Sequence, residues 1–200
     1  ARDTPCAGPS LCGPRHACIA GACRPAASEP APPDTRRVVV APDAIAVVSS
    51  SGGASTSTPS AIAFGAGGGG SVVLLLRFPA PWGRHARIAS AFLTLDPAPG
   101  ALPETEAVSI DVARVLDRWS PSDVDWGRQP RLSTSEARAL AKTAPPRPLR
   151  IDVTAIVKRW QRAAGDEGIA LVASPTAVNG ASYATGAAGG VGPRLEVYLR

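Results

Sequence analysis

The chain has little of what catalytic and nucleic-acid-binding proteins depend on. Its 200 residues include only two histidines, His16 and His85, only two lysines, Lys142 and Lys158, 4% aromatic residues and no methionine. A nucleophilic triad needs a base beside its nucleophile, with a third group to orient that base. His16 sits among cysteines and His85 in the Arg-rich turn WGRHAR, so neither has such a neighbour in the sequence, and no enzyme is expected. Basic residues outnumber acidic ones by 21 to 16, yet the longest basic run is Arg36-Arg37 and no aromatics are interleaved with the arginines. That pattern excludes the basic, aromatic-laced footprint of a nucleic-acid binder, while leaving an acidic polysaccharide as a compatible partner. No apolar stretch approaches the roughly 20 residues of a membrane-spanning helix, and Ser71–Leu76 has only the length of a strand.

Paired acids are equally sparse. Asp123 and Asp125 in SPSDVDW read as turn and cap residues, and Asp166 and Glu167 as a solvated turn. A calcium loop needs more oxygen ligands close together than D-x-D supplies, so neither metal nor cofactor is expected. The start of the chain, ARDTPC without a methionine, reads as a terminus left by removal of a signal segment, which predicts an extracellular or cell-surface location.

What is present divides into three parts. All four cysteines, Cys6, Cys12, Cys18 and Cys23, fall in a module over residues 1–24, spaced C-x5-C-x5-C-x4-C among Gly and Pro. So short a segment buries too little apolar surface to order itself, and two disulfides with any of three connectivities are the expected source of its structure. A zinc site including His16 is disfavoured, because the C-x2-C type of ligand spacing is missing. Residues 25–37 follow as a linker with Pro25, Pro30, Pro32 and Pro33, a composition that favours extended polyproline conformation.

From Val38 to Arg200, short β-type runs alternate with gaps rich in Gly, Pro, Ser and Asp: Arg37–Val40, Ile45–Ser49, Ser71–Phe78, Ile88–Asp96, Val108–Val115, Leu149–Val153, Gly168–Ala173 and Arg194–Leu199. No amphipathic helix regularly follows these runs, which predicts an all-β antiparallel sandwich and not a parallel α/β sheet. Two helical pieces are expected to cover an edge or end. Thr154–Ala164 places Ile156, Val157 and Trp160 on one face and Lys158, Arg159 and Arg162 on the other, and Thr134–Lys142 is an Ala-rich candidate. Ser49–Ser60 and Gly65–Gly70 read either as flexible loops or as tightly packed segments.

The order of landmarks over residues 44–200 resembles the DNRLRE domain of secreted bacterial and archaeal surface proteins. LLLRFPAPWGRHARIASAFLTLDP (Leu74–Pro97) resembles that family's "A-x-I-x-x-A-x-L-x-L" strand with the segment preceding it. VARVLDRWSPSDVDWGRQP (Val112–Pro130) resembles its "V-x-x-x-W-x-E-x-x-V-T-W-x-x-x-P" passage. IDVTAIVKRWQRAAGDEGIALVA (Ile151–Ala173) is similar to "D-V-T-x-x-V-x-x-W…N-x-G-x-x-L", and PRLEVYL (Pro193–Leu199) to the closing strand. The resemblance implies a jelly-roll-like sandwich. The acidic, Arg-containing stretch that names the family is replaced here by Ser182-Tyr183-Ala184-Thr185-Gly186, so no ligand-contacting residue carries over.

Trp119, Trp126 and Trp160 adjoin apolar runs and are expected to pack in the core or at its edge. Trp82, in Pro81-Trp82-Gly83-Arg84 between strands, is expected to be exposed and, with Arg84 and Arg87, to form a possible binding surface. The leading functional expectation is a non-catalytic structural protein of the cell surface or matrix whose copies self-assemble through residues 1–43. The alternative is a carbohydrate-binding module recognising a polysaccharide, acidic ones included.

Overall fold

Strands with one face in the core alternate apolar and polar side chains, whereas strands covered on both faces read as continuous apolar runs. Both kinds occur here. The computed structural model describes residues 4–5, 16–19 and 22–25 by backbone, and 34–51, 58–67, 70–83, 85–102, 106–141, 147–160, 167–177, 179–187 and 191–200 in full. Cys6, Cys12, most of the Pro-rich linker, residues 52–57, Arg84, Arg162 and Asp166 lie outside the described residues, as do the side chains of His16, Cys18 and Cys23.

Within the cysteine module, β1 (Thr4–Pro5), β2 (His16–Ile19) and β3 (Ala22–Pro25) form a small antiparallel sheet in the order β1-β3-β2, with Cys18 opposite Cys23. Downstream come β4 (Arg36–Val40), β5 (Ala44–Ser49), β6 (Ala61–Phe64), β7 (Val72–Arg77), β8 (Ile88–Leu95), β9 (Val108–Arg114), β10 (Ala137–Ala141) and β11 (Leu149–Asp152). Helix α1 (Thr154–Trp160) and strands β12 (Ile169–Ala173), β13 (Ala181–Ala184) and β14 (Arg194–Leu199) complete the described elements. They form a five-stranded sheet, β10-β9-β12-β7-β5, a four-stranded sheet, β11-β8-β14-β4, and a ribbon, β13-β6, with every strand pair antiparallel.

The inner faces of the two larger sheets share one apolar cluster. Leu74 and Leu76 of β7 and Val108, Ile110 and Val112 of β9 meet Leu93 and Leu95 of β8 and Leu195 and Val197 of β14. Each fully buried side chain of this size contributes about 1.5–3 kcal/mol. The result is the expected all-β, sandwich-like architecture. The ribbon adds Phe64 against Tyr183, ring centroids 6.2 Å apart, and is tied to the end of β8 by Ala184 N–H donating to the Asp96 carbonyl at 2.9 Å.

β7 is covered on both faces, which explains its unbroken VVLLL. Val73 and Leu75 point away from the sandwich interior into a second cluster with Ala44, Ala46, Val48, Ala170, Val115 and Trp119. The small alanines of β5 and β12 leave the depth that an indole fills.

One expected helix is a strand. Over Thr134–Lys142, residues Ala137–Ala141 form β10 and pair with β9, so that Arg138 lies opposite Asp111 and their side chains meet at 2.8 Å. Alanine favours helix locally, but ARALA also has a period of two. That period turns Ala137, Ala139 and Ala141 to the core and leaves Arg138 and Leu140 in solvent, and the tertiary ladder overrides the weak local preference.

The other helix forms where expected over Thr154–Trp160 and buries Ile156 and Val157. Asp152 Oδ1 accepts from Thr154 N–H at 2.8 Å, and Thr154 Oγ1 accepts from Ala91 N–H at 2.9 Å, which caps the helix and fastens it to β8. Entry to β12 depends on Gly168, with φ +133°, where a Cβ would stand 2.2 Å from the Leu76 carbonyl oxygen. Only glycine fits that approach.

Candidate functional site

Three surfaces bear on function, and each is built by a different accident of strand order. The first is the long excursion between β9 and β10. At its base Leu116 N–H donates to the Arg131 carbonyl at 2.9 Å, and Arg131 forks onto the Asp117 carboxylate at 2.7 and 3.0 Å. Those bonds from Arg131 hold the Asp117 carboxyl down to about 2. Midway, the buried Trp119 donates from Nε1 to the Glu167 carbonyl at 2.8 Å, and the Arg77 guanidinium lies 5.7 Å from its ring centroid. At the tip, Asp125 Oδ1 accepts from the backbone N–H of Gly127 and of Arg128, both at 2.9 Å, while its carboxylate pairs with the Arg128 guanidinium at 2.7 Å. Asp125 is therefore a turn-closing residue, and its hydrogen bond with the Arg128 side chain lowers its pKa.

The tryptophans separate in space. Trp119 is buried as expected, and Trp160 is half-buried against the core. Trp126, expected in the core or at its edge, instead stands at the tip of the excursion with 39% of its surface exposed. Trp82 reverses the expectation in the other direction: the indole is only 8% exposed and joins the main apolar cluster. Pro and Gly around it mark a turn, but the indole folds inward because it removes more apolar area from water than any neighbour. Arg87 and His85 are exposed on the same connection, so the surface proposed around Trp82 loses its aromatic member.

The second surface is the outer face of the four-stranded sheet. Glu196 is 7% exposed there, with the Arg37 guanidinium at 2.7 Å and that of Arg150 at 3.5 Å. Arg150 also lies 3.5 Å over the ring of Phe92, whose other contact is edge-on with Tyr198 at 6.1 Å. Burial by itself would raise the Glu196 pKa, but the hydrogen bond from Arg37 and the charges of Arg37, Arg150 and Arg194 outweigh it and lower the carboxyl below its ordinary range. This cluster is an ion-paired knot whose groups are turned toward one another.

The third surface is the side where both sheets end. Consecutive strands β4 and β5 belong to different sheets, β4 pairing only with β14 and β5 only with β7 among the described residues. Their inward-facing Val38, Val40, Ile45 and Val47 are only partly buried. On the opposite side β10 and β11 lie together, and Ala141 and Ile151 are 0% and 3% exposed. A groove of about 620 Å³ opens on the β4/β5 side, lined by Val39, Ala44, Ile45, Pro121 and Val191. Val39 and Val191, 46% and 63% exposed, are among its walls. The sequence carried no direct signal of this opening, because two β-runs joined by Ala41-Pro42-Asp43 read equally well as a hairpin.

Among the described residues no group of three or more His, Cys, Asp and Glu is arranged to hold a metal ion, and no helix is long and apolar enough to cross a membrane. Comparison of the chain with protein-family models and with curated proteins finds no match.

Proposed function

We propose that this protein is a non-catalytic, exported structural protein of the cell surface or matrix whose copies associate through extended chain segments added at the β4/β5 side. The observation that carries the reading is the groove of about 620 Å³ on the β4/β5 side: among the described residues both sides of the sandwich end in edge strands, but β10 and β11 lie against each other, whereas the groove opens beside β4 and β5. Edge strands accept extended partners through main-chain hydrogen bonds, and alternate side chains then enter the apolar groove. The segment proposed to serve as the donor is the part of the N-terminal arm that precedes β4, residues 1–33, of a second copy. Its Pro- and Ala-rich stretch has too few apolar residues to build a core of its own. A head-to-tail contact of this kind need not close and propagates as a filament.

Further parts of the reading rest on the sequence. The four clustered cysteines form two disulfides within residues 1–24, and the larger unit is a jelly-roll-like member of the DNRLRE type, a family of secreted surface proteins. Both accord with an exported protein exposed to an oxidising environment.

The test is light scattering after size exclusion, together with electron microscopy, on the intact protein, on a variant lacking residues 1–33, and on Val39→Lys/Val191→Lys. The intact protein assembles, and both variants are folded monomers. An intact protein that stays monomeric up to millimolar concentration, or variants that assemble as it does, would overturn the proposal.

A further inference from the structure

Of the aromatic residues, all of which lie among the described ones, Trp126 alone is exposed. Nothing in the turn that holds it calls for an indole. Asp125 and the backbone of Gly127 and Arg128 close the turn, and Gln129 Nε2 donates to the Trp126 carbonyl at 3.0 Å, so the local bonds use only the main chain of Trp126. The excursion beneath it is pinned at its base by Asp117 and Arg131 and midway by Trp119, so the ring is carried on a support already ordered before any ligand arrives.

The surroundings of the ring indicate its ligand. A protein interface of ordinary size needs about 800 Å² per partner with an apolar centre. Among the described residues, the exposed large hydrophobic residues besides Trp126 are Val39, Leu102, Leu140 and Val191, none of them on the β9–β10 excursion. Trp126 is flanked instead by Asp125, Gly127 and Arg128, with Ser122, Asp123 and Gln129 close by in the chain. A lone indole, 39% exposed and set among polar neighbours, suits one pyranose ring, whose C–H face would lie on the exposed part of the indole while its hydroxyls reach carboxylate, guanidinium and amide groups. Charge further narrows the class. Residues 116–131 contain three aspartates and three arginines, and Arg118, Arg128 and Arg131 face Glu167, Asp125 and Asp117 at 3.5, 2.7 and 2.7 Å. With its arginines already paired, the excursion has no net attraction for an anion.

We infer that Trp126, with Asp125, Arg128 and Gln129 around it, is a stacking platform for a neutral polysaccharide. The site is distinct from the assembly groove: Pro121 of the same excursion lines that groove, but Asp125, Trp126, Arg128 and Gln129 do not.

Native affinity electrophoresis of the intact protein tests this, with laminarin, hydroxyethylcellulose or xylan in the gel and alginate as the acidic control. At least one neutral glycan retards the protein. Trp126→Ala weakens that retardation at least tenfold with an unchanged melting temperature, Trp126→Phe restores part of it, and the glycan-induced blue shift of tryptophan emission disappears in Trp126→Ala. The inference is overturned if none of the three neutral glycans retards the protein, if Trp126→Ala is retarded as strongly as the parent, or if alginate alone retards it. It is equally overturned if Trp126→Ala disperses assemblies while leaving glycan retardation intact, because the ring would then serve a protein contact.

Discussion

The indole N–H of Trp119 donates to the main-chain carbonyl of Glu167 at 2.8 Å, tying the β9–β10 excursion to the segment that leads into β12. Three strands meet at this pair. The ring fills the hollow over Ala44 and Ala46 of β5, Leu75 of β7 and Ala170 of β12, and its carbonyl takes the Arg77 guanidinium at 3.2 Å. Trp119→Phe keeps most of the apolar contact and loses the hydrogen bond, so it costs about 1 kcal/mol, whereas Trp119→Ala leaves a cavity and costs about 3–5 kcal/mol. Urea denaturation followed by circular dichroism separates the two. Equal losses would mean that the bond to Glu167 and not the packing carries the effect.

Stability falls at both ends of the pH range for identifiable reasons. The Glu196 carboxyl has a folded-state pKa below its ordinary value of 4.5, so its contribution is complete above that value and is lost as pH falls through the folded-state pKa. The buried Tyr183 hydroxyl has its pKa pushed up from 10.0 to about 12 by burial, so its contribution is complete below pH 10 and is lost as pH rises toward 12. Melting temperatures measured from pH 2 to 12 trace both limbs. Glu196→Gln weakens the dependence on the acid side and Tyr183→Phe that on the alkaline side, each leaving the other limb unchanged.

Trp160 Nε1 is buried without a hydrogen-bond partner among the described residues, while the ring packs against the main core from the end of α1. An unsatisfied buried donor costs about 1–3 kcal/mol, which offsets part of what the ring contributes. Trp160→Phe removes the donor and keeps a ring, so stability is unchanged or rises by up to about 1 kcal/mol, and Trp160→Ala costs about 3 kcal/mol. Guanidinium unfolding midpoints distinguish these outcomes. A Phe variant that is destabilised as much as the Ala variant would show that the N–H has a partner.

Much of the strand inventory was written locally. VVLLLR, IASAFLTL, IALVA and RLEVYL declare β-structure by β-branched and apolar runs bounded by turn residues, and each became a strand close to its expected limits. Likewise, the spacing of Ile156 and Val157 announced the buried face of α1. Short segments were harder to read. AIAF and ASYA sit among Ser and Gly and become β6 and β13 only because they pair with each other and bring Phe64 to Tyr183. ARALA became β10 because a ladder to β9 outweighs alanine's helical preference, which amounts to only tenths of a kcal/mol per residue.

Composition and period by themselves determined that the larger unit is all-β, that its core is aliphatic, and that the chain's cysteines are confined to the first 23 residues. Tertiary structure alone decided which indole is hidden and which is displayed. Trp82 and Trp126 both stand in turn-like sequence, yet the first joins the main apolar cluster and the second stays 39% exposed on an excursion whose Trp119, Val124 and Leu132 pack into the second cluster. Local sequence encodes the conformation of a turn. Which way its side chain faces depends on the volume that remote strands leave free, and that volume exists only once the sheets have packed.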